Sequence, residues 1–107
     1  MTVVAGTRVV VPGRVLEPGW VRVDRTRIAE VGAGSPPHGG AVVVTGSWVV
    51  PGFVDAHVHG GDSGTYTAGD PEQAHRAFAF HRRHGTTSSV ASLVTAPLDQ
   101  LERAVRG

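Results

Sequence analysis

At Pro51 the chain changes from one structural pattern to another, and that change limits the folds open to it. Before it, short β-rich runs alternate with turn residues: Val3 to Ala5, Thr7 to Val11, Trp20 to Asp24, Ile28 to Val31, Ala41 to Thr45 and Trp48 to Val50. Pro12-Gly13 and Pro18-Gly19 punctuate them, and Gly32 to Gly40 reads as a loop. The expectation is a twisted antiparallel unit of hairpins. After Pro51 the pattern is strand, helix, strand, helix. Phe53 to His59 is an apolar strand, followed by a Gly/Asp/Ser/Thr-rich loop, Gly60 to Gly69. Asp70-Pro71-Glu72-Gln73 then combines an N-cap, a proline at the first helical position and a glutamine at the third. Ala74, Ala77, Phe78 and His81 recur at helical spacing, with Phe80 beside them, and Gly85 stops the helix. Thr86 to Thr95 is β-rich again. Ala96-Pro97 opens a second helix with Leu98, Leu101 and Val105 on one face. That order is the opening of a parallel α/β fold.

Length tempers the reading. With 107 residues the chain holds one small domain or a piece of something larger. Two parallel strands do not bury both faces of a sheet, and a (β/α)8 barrel takes about 250 residues. The expectation is therefore an N-terminal fragment or a truncated product, with residues 1–50 as a β-rich unit and residues 51–107 as the start of a barrel.

Ten arginines and no lysine face nine acids, a net charge of +1. Arg8, Arg14, Arg22, Arg25 and Arg27 are scattered among strands, whereas a nucleic-acid footprint needs a clustered basic face. Without cysteine the chain has no disulfide, thiolate ligand or thiol nucleophile. The start, MTVVAGTRVVVPG, lacks a basic leader and a long apolar run, and no segment reaches the ~18 apolar residues of a membrane span. A cytoplasmic protein with no nucleic-acid or membrane partner is expected.

The chemistry concentrates in PGFVDAHVHGG, residues 51–61. On a strand, His57 and His59 point to one face with Cα atoms about 6.6 Å apart, so both imidazoles reach one metal at about 2.1 Å. On a helix the same spacing splays them. A surface pair without a ligand is the plain alternative. Against it, the pair ends an apolar strand and runs into Gly60-Gly61, where α/β enzymes keep their chemistry. Asp55 shares the parity of the histidines, one layer deeper. It either orients the strand or a histidine by hydrogen bonding, or is a packed carboxylate. Gly60 and Gly61 either let the backbone approach a metal and substrate closely or form an ordinary turn. His75, His81 and His84 fall on the helix, taken as outer and solvent-facing. His84 suits the negative helix C-terminus. His38 is a loop histidine with no partner.

VVPGFVDAHVHGG closely resembles the amidohydrolase superfamily signature, an apolar strand, Pro-Gly-Phe, Asp, then His-x-His. Within it, Gly60-Gly61 and a small polar loop after the pair, AFAFHRRHGTT at the helix end, and SSVASLVTAP leading into the next helix resemble the N-acetylglucosamine-6-phosphate deacetylase family. Asp62 and Ser63 interrupt the glycine loop where relatives often continue with glycine. The resemblance implies a small β-sandwich domain, of which residues 1–50 are the N-terminal strands. It implies the first βαβα of a (β/α)8 TIM-type barrel over residues 51–107. It also implies one or two divalent ions, zinc by expectation, with His57 and His59 on the first, and a homodimer for the full-length protein. The implied reaction is metal-assisted hydrolysis of the acetamide of N-acetylglucosamine 6-phosphate, in amino-sugar metabolism. The general base, the other ligands and the phosphate contacts are expected beyond residue 107, which leaves this stretch alone inactive. An amidohydrolase of cyclic amides and a non-catalytic β-rich module are the competing readings.

Overall fold

Pro12 and Gly13 turn the chain back on itself. Gly13 takes φ +77°, the value a type II turn needs at its third residue, with proline before it. The turn joins β1 (Thr2–Val11) to β2 (Arg14–Leu16). Beyond Glu17-Pro18 the chain continues as β3 (Gly19–Asp24), then β4 (Arg27–Ala33). Val11 faces Arg14 and Val9 faces Leu16, while Gly6 faces Gly19 and Thr2 faces Val23. β2 and β3 therefore keep one register against β1. They are a single antiparallel arm interrupted at Pro18, which has no N–H to give a ladder. A separate β2 was not expected, and the two runs placed in Val3 to Val11 are one strand.

This computed structural model describes residues 2–37 and 42–107; His38 and Ala41 lie outside the described residues. β5 (Val42–Val49) departs from the expected hairpin pattern. It pairs with β1 in parallel, from Thr2 opposite Val42 to Val9 opposite Val49. β4 already runs in the direction of β1, so the connection after it carries the chain back to the start of β1 instead of reversing it. Among the described residues, Val3, Val9, Leu16 and Trp20 are the buried hydrophobic residues of this sheet. The chain divides into two units, Met1–Pro51 and Gly52–Gly107.

The second unit is built as strand, helix, strand, helix. β6 (Phe53–Val58) pairs in parallel with β9 (Thr86–Ala91), as the strand–helix–strand reading expects. Between them stands α1 (Pro71–Arg83), and α2 (Leu98–Arg106) follows β9. The Asp70 side chain caps α1 by accepting from the Glu72 N–H at 3.0 Å. Gln73 does not complete a capping box. Its Oε1 instead accepts from the Thr65 N–H at 3.3 Å, tying the helix to the loop before it. Gly85, at φ +99°, lets the chain leave the helix and re-enter the sheet, where its carbonyl accepts from the Phe53 N–H at 2.9 Å. Ala77, within the helix, is fully buried. Phe53, Val54 and Val90 remain more than half exposed, as a two-stranded parallel sheet dictates. Mixed α/β describes the whole chain, with strands predominating. Among the described residues no helix is long and apolar enough to cross a membrane.

Candidate functional site

An irregularity toward the end of β6 shapes the site. Asp55 faces Ser89 but Val58 faces Ala91, so three steps along β6 match two along β9. This bulge, with Ala56 and His57 inside it, bends the strand where ladders commonly re-aim a side chain. Asp55 Oδ1 accepts from the His57 N–H at 3.1 Å. The contact is with the backbone N–H of the histidine two residues on, not with an imidazole.

The Gly60 to Gly69 segment contains a small hairpin. β7 (Gly60–Gly61) and β8 (Gly64–Thr65) pair antiparallel. Asp62 and Ser63 between them both take positive φ, 49° and 62°, the arrangement of a two-residue type I′ turn. The glycines serve the packing of α1. A Cβ on Gly64 would collide with the Gln73 carbonyl oxygen, and one on Gly61 would stand 2.8 Å from His81 Nε2. The close approach at Gly61 and Gly64 is therefore made by the helix. His59 is held at the mouth of this hairpin, its carbonyl accepting from the Tyr66 N–H at 3.1 Å and the Thr65 hydroxyl at 3.4 Å.

His57 and His59 meet. Their Nε2 atoms are 3.1 Å apart and their rings lie edge to face at 4.7 Å. Two nitrogens bound to one tetrahedral ion at about 2.0–2.1 Å stand about 3.3 Å apart, so the pair matches one edge of such a shell. Among the described residues no third His, Cys, Asp or Glu joins them; they supply half of a tetrahedral set. Both rings are exposed and open to further ligands.

Sequence reasoning missed Ser92, the residue after β9. Its N–H donates to the Val58 carbonyl at 2.9 Å, its carbonyl lies 3.0 Å from His59 Nδ1, and its hydroxyl lies 3.2 Å from His57 Nδ1. The available signal was a polar residue at the C-terminal end of the second parallel strand. His81 is half-buried, not solvent-facing, and its Nε2 reaches the Gly60 carbonyl at 2.9 Å. It turns inward because Gly61 leaves room for its ring. His84 donates from Nδ1 to the Phe80 carbonyl at 2.8 Å, satisfying the helix C-terminus as its position suggests. His81 and His84 do not bond each other through their rings; both pack against Phe80 instead. His75 is an exposed residue of α1. A cleft of about 400 Å³ between Tyr66, Asp70, Ala74, His75, Leu93 and Val105 contains neither His57, His59 nor Ser92, and Asp70 in its wall is already used as the cap of α1.

No protein-family model matches the chain, and no curated protein does. Solved structures do. The N-acetyl-D-glucosamine-6-phosphate deacetylase from Mycobacterium smegmatis aligns over 98% of the chain at 41% identity with a TM-score of 0.90. A D267A mutant of that deacetylase, in complex with N-acetyl-D-glucosamine-6-phosphate, aligns over 97% at 41% identity with a TM-score of 0.89. The chain spans 30% and 27% of the lengths of these two proteins, and it matches their N-terminal part.

Proposed function

The chain is related in sequence and fold to the N-acetylglucosamine-6-phosphate deacetylases, and we propose that the protein carrying it hydrolyses the acetamide of N-acetylglucosamine 6-phosphate to glucosamine 6-phosphate and acetate. The observation that carries the proposal within this chain is the 3.1 Å convergence of the His57 and His59 Nε2 atoms. In this reading residues 1–50 are strands of a β-sandwich domain, and residues 51–107 open a (β/α)8 barrel. The exposed Phe53, Val54 and Val90 support it, because apolar residues on both faces of a two-stranded sheet call for further strands and helices. The substrate is a small amino-sugar phosphate, in a cytoplasmic homodimer.

His57 and His59 would hold a divalent ion, zinc by the chemistry of two neutral imidazoles. Such an ion supplies Lewis acidity, which activates water at neutral pH and polarises a carbonyl. The chain's own residues supply placement. Asp55 fixes the backbone of His57, and Tyr66 and Thr65 fix the backbone of His59. These contacts act on the backbone that carries the imidazoles. A general base to pass the proton to the leaving amine, and cations for the sugar phosphate, lie outside this chain in the same reading.

Acetate release from N-acetylglucosamine 6-phosphate by the purified full-length protein, with elemental analysis of bound metal, tests the proposal. Turnover of this substrate together with bound divalent metal is the expected result. Metal without turnover removes the deacetylase assignment and keeps the metal centre; turnover without metal removes the metal centre.

A further inference from the structure

Ser92 touches both histidines with two different groups, and the two groups impose different constraints. Its carbonyl oxygen only accepts hydrogen bonds. His59 Nδ1, 3.0 Å from it, must therefore carry the proton. In neutral His59, Nε2 is then a bare lone pair, the form a metal requires. The Ser92 hydroxyl both donates and accepts, so it leaves the state of His57 open.

The 3.1 Å separation of the two Nε2 atoms settles that state for the pair as it stands. A lone pair on His59 Nε2 asks for an N–H on His57 Nε2. His57 Nδ1 is then an acceptor, and the Ser92 hydroxyl, 3.2 Å away, donates to it. The result is a directional ring. Ser92 O–H gives to His57, His57 gives to His59, and His59 gives back to the Ser92 carbonyl. Every polar atom in it is satisfied.

To offer both lone pairs to one ion, His57 must move its proton from Nε2 to Nδ1. The Ser92 oxygen must then accept where it had donated. Its own hydrogen has a second outlet, the Val90 carbonyl at 3.5 Å. A serine at this position can therefore satisfy His57 in either tautomer; an alanine satisfies neither.

We propose that Ser92 is the positioning residue of the His57–His59 pair. Its carbonyl keeps His59 Nε2 free, and its hydroxyl reverses direction so that His57 can free its own. The inference rests on the reading of His57 and His59 as metal ligands. It goes beyond that reading in giving the strand after α1 a direct part in ligand placement.

The test uses the full-length protein stripped of metal and titrated with Zn²⁺ against a chromophoric chelator. Loss of a partner behind a ligating histidine typically weakens metal binding by about 10–100-fold, and that loss is expected for Ser92→Ala. Ser92→Thr keeps the hydroxyl and should bind close to wild type. Nitrogen-15 imidazole spectra of the metal-free proteins at mildly alkaline pH give the second readout. In the wild type, His57 should be protonated on Nε2 and His59 on Nδ1. In Ser92→Ala both tautomers should hold, because the carbonyl behind His59 remains and the His59 lone pair still asks for the N–H on His57 Nε2; what is lost is the acceptor that His57 Nδ1–H needs once Nε2 is given to the ion. A general loss of packing would disturb both tautomers, so unchanged spectra beside weakened Zn²⁺ binding separate the two causes. Wild-type affinity in Ser92→Ala, a loss that Thr does not restore, or a His59 not protonated on Nδ1 in the wild type would each overturn the proposal. His57→Ala and His59→Ala run alongside. If they also bind Zn²⁺ like the wild type, the metal-centre reading itself falls. If they lose Zn²⁺ while Ser92→Ala does not, only the role of Ser92 falls.

Discussion

His81 Nε2 lies 2.9 Å from the carbonyl oxygen of Gly60. That contact fastens the last full turn of α1 to the residue that follows His59. The ring fits because Gly61 has no Cβ; one there would stand 2.8 Å from His81 Nε2 and 3.1 Å from Phe80 Cδ1. A hydrogen bond of this kind contributes about 0.5–1.5 kcal/mol net. We expect His81→Ala to lower stability by about that much, read as a shift in the denaturant midpoint. Metal content should hold, since Tyr66 and Thr65 still anchor the His59 carbonyl. Loss of metal in this variant would mean that the Gly60 contact, and not the Tyr66 contact, positions His59.

The histidine pair itself makes the sharper prediction. If the full-length protein is the metal-dependent deacetylase proposed above, replacing His57 or His59 with Asn or Ala should remove most of its bound metal and most of its activity. Each imidazole is one of the two ligands that the described residues bring together for a four-coordinate ion. Elemental analysis of purified variants beside acetate release decides it. Wild-type metal and turnover in both variants would defeat the metal centre.

Gly64 carries a packing prediction. Its position is buried, and a Cβ would strike the Gln73 carbonyl oxygen, a backbone atom in the first turn of α1. Backbone does not swing aside as a long side chain does. Gly64→Ala should cost about 1–3 kcal/mol, the usual range for overpacking. Asp70→Ala, which removes the side chain capping that same helix, should cost about 1 kcal/mol. Thermal unfolding of the two variants should rank them in that order; equal midpoints would mean that the α1 end has room to shift.

The contrast between Asp70 and Ser92 shows what the sequence made legible. Asp70-Pro71 is a local signal, since capping, the fixed proline φ and the first N–H groups all act within four residues. Helix α1 begins where those residues say it does. The His-x-His pair is local too, because strand parity brings the rings together, even with a bulge in β6 that no single residue announces. Ser92 stands 35 positions from His57, and only the parallel register of β9 against β6 brings it there. The parallel pairing of β5 with β1 is hidden for a similar reason. A β-rich run carries no mark of which edge it joins or in which direction. His81 was misplaced because helical periodicity sets the angle of a side chain but not what packs over it. Here the opposing surface is a glycine hairpin, whose turn residues, Asp62 and Ser63, do not advertise a type I′ turn as Asn-Gly would.

The exposed valines test whether this sheet continues. Val54 pairs with Ser88, and Val90 lies two residues further along β9, so Val54 and Val90 share a face. They are 75% and 57% exposed. If residues 51–107 open a barrel, both are buried by later elements in the full-length protein, and a charge there must be desolvated without a partner. Val54→Asp and Val90→Asp should then each destabilise the full-length protein by more than about 3 kcal/mol, at the severe end for single substitutions. A surface substitution would stay within about 0.5 kcal/mol. Val15, also exposed at 44%, lies on β2 in the other unit and serves for comparison. Chemical denaturation of the three aspartate variants separates the cases. Neutral behaviour of both Val54→Asp and Val90→Asp would show that the face stays open to water, and the barrel reading would fail even with the histidine pair intact.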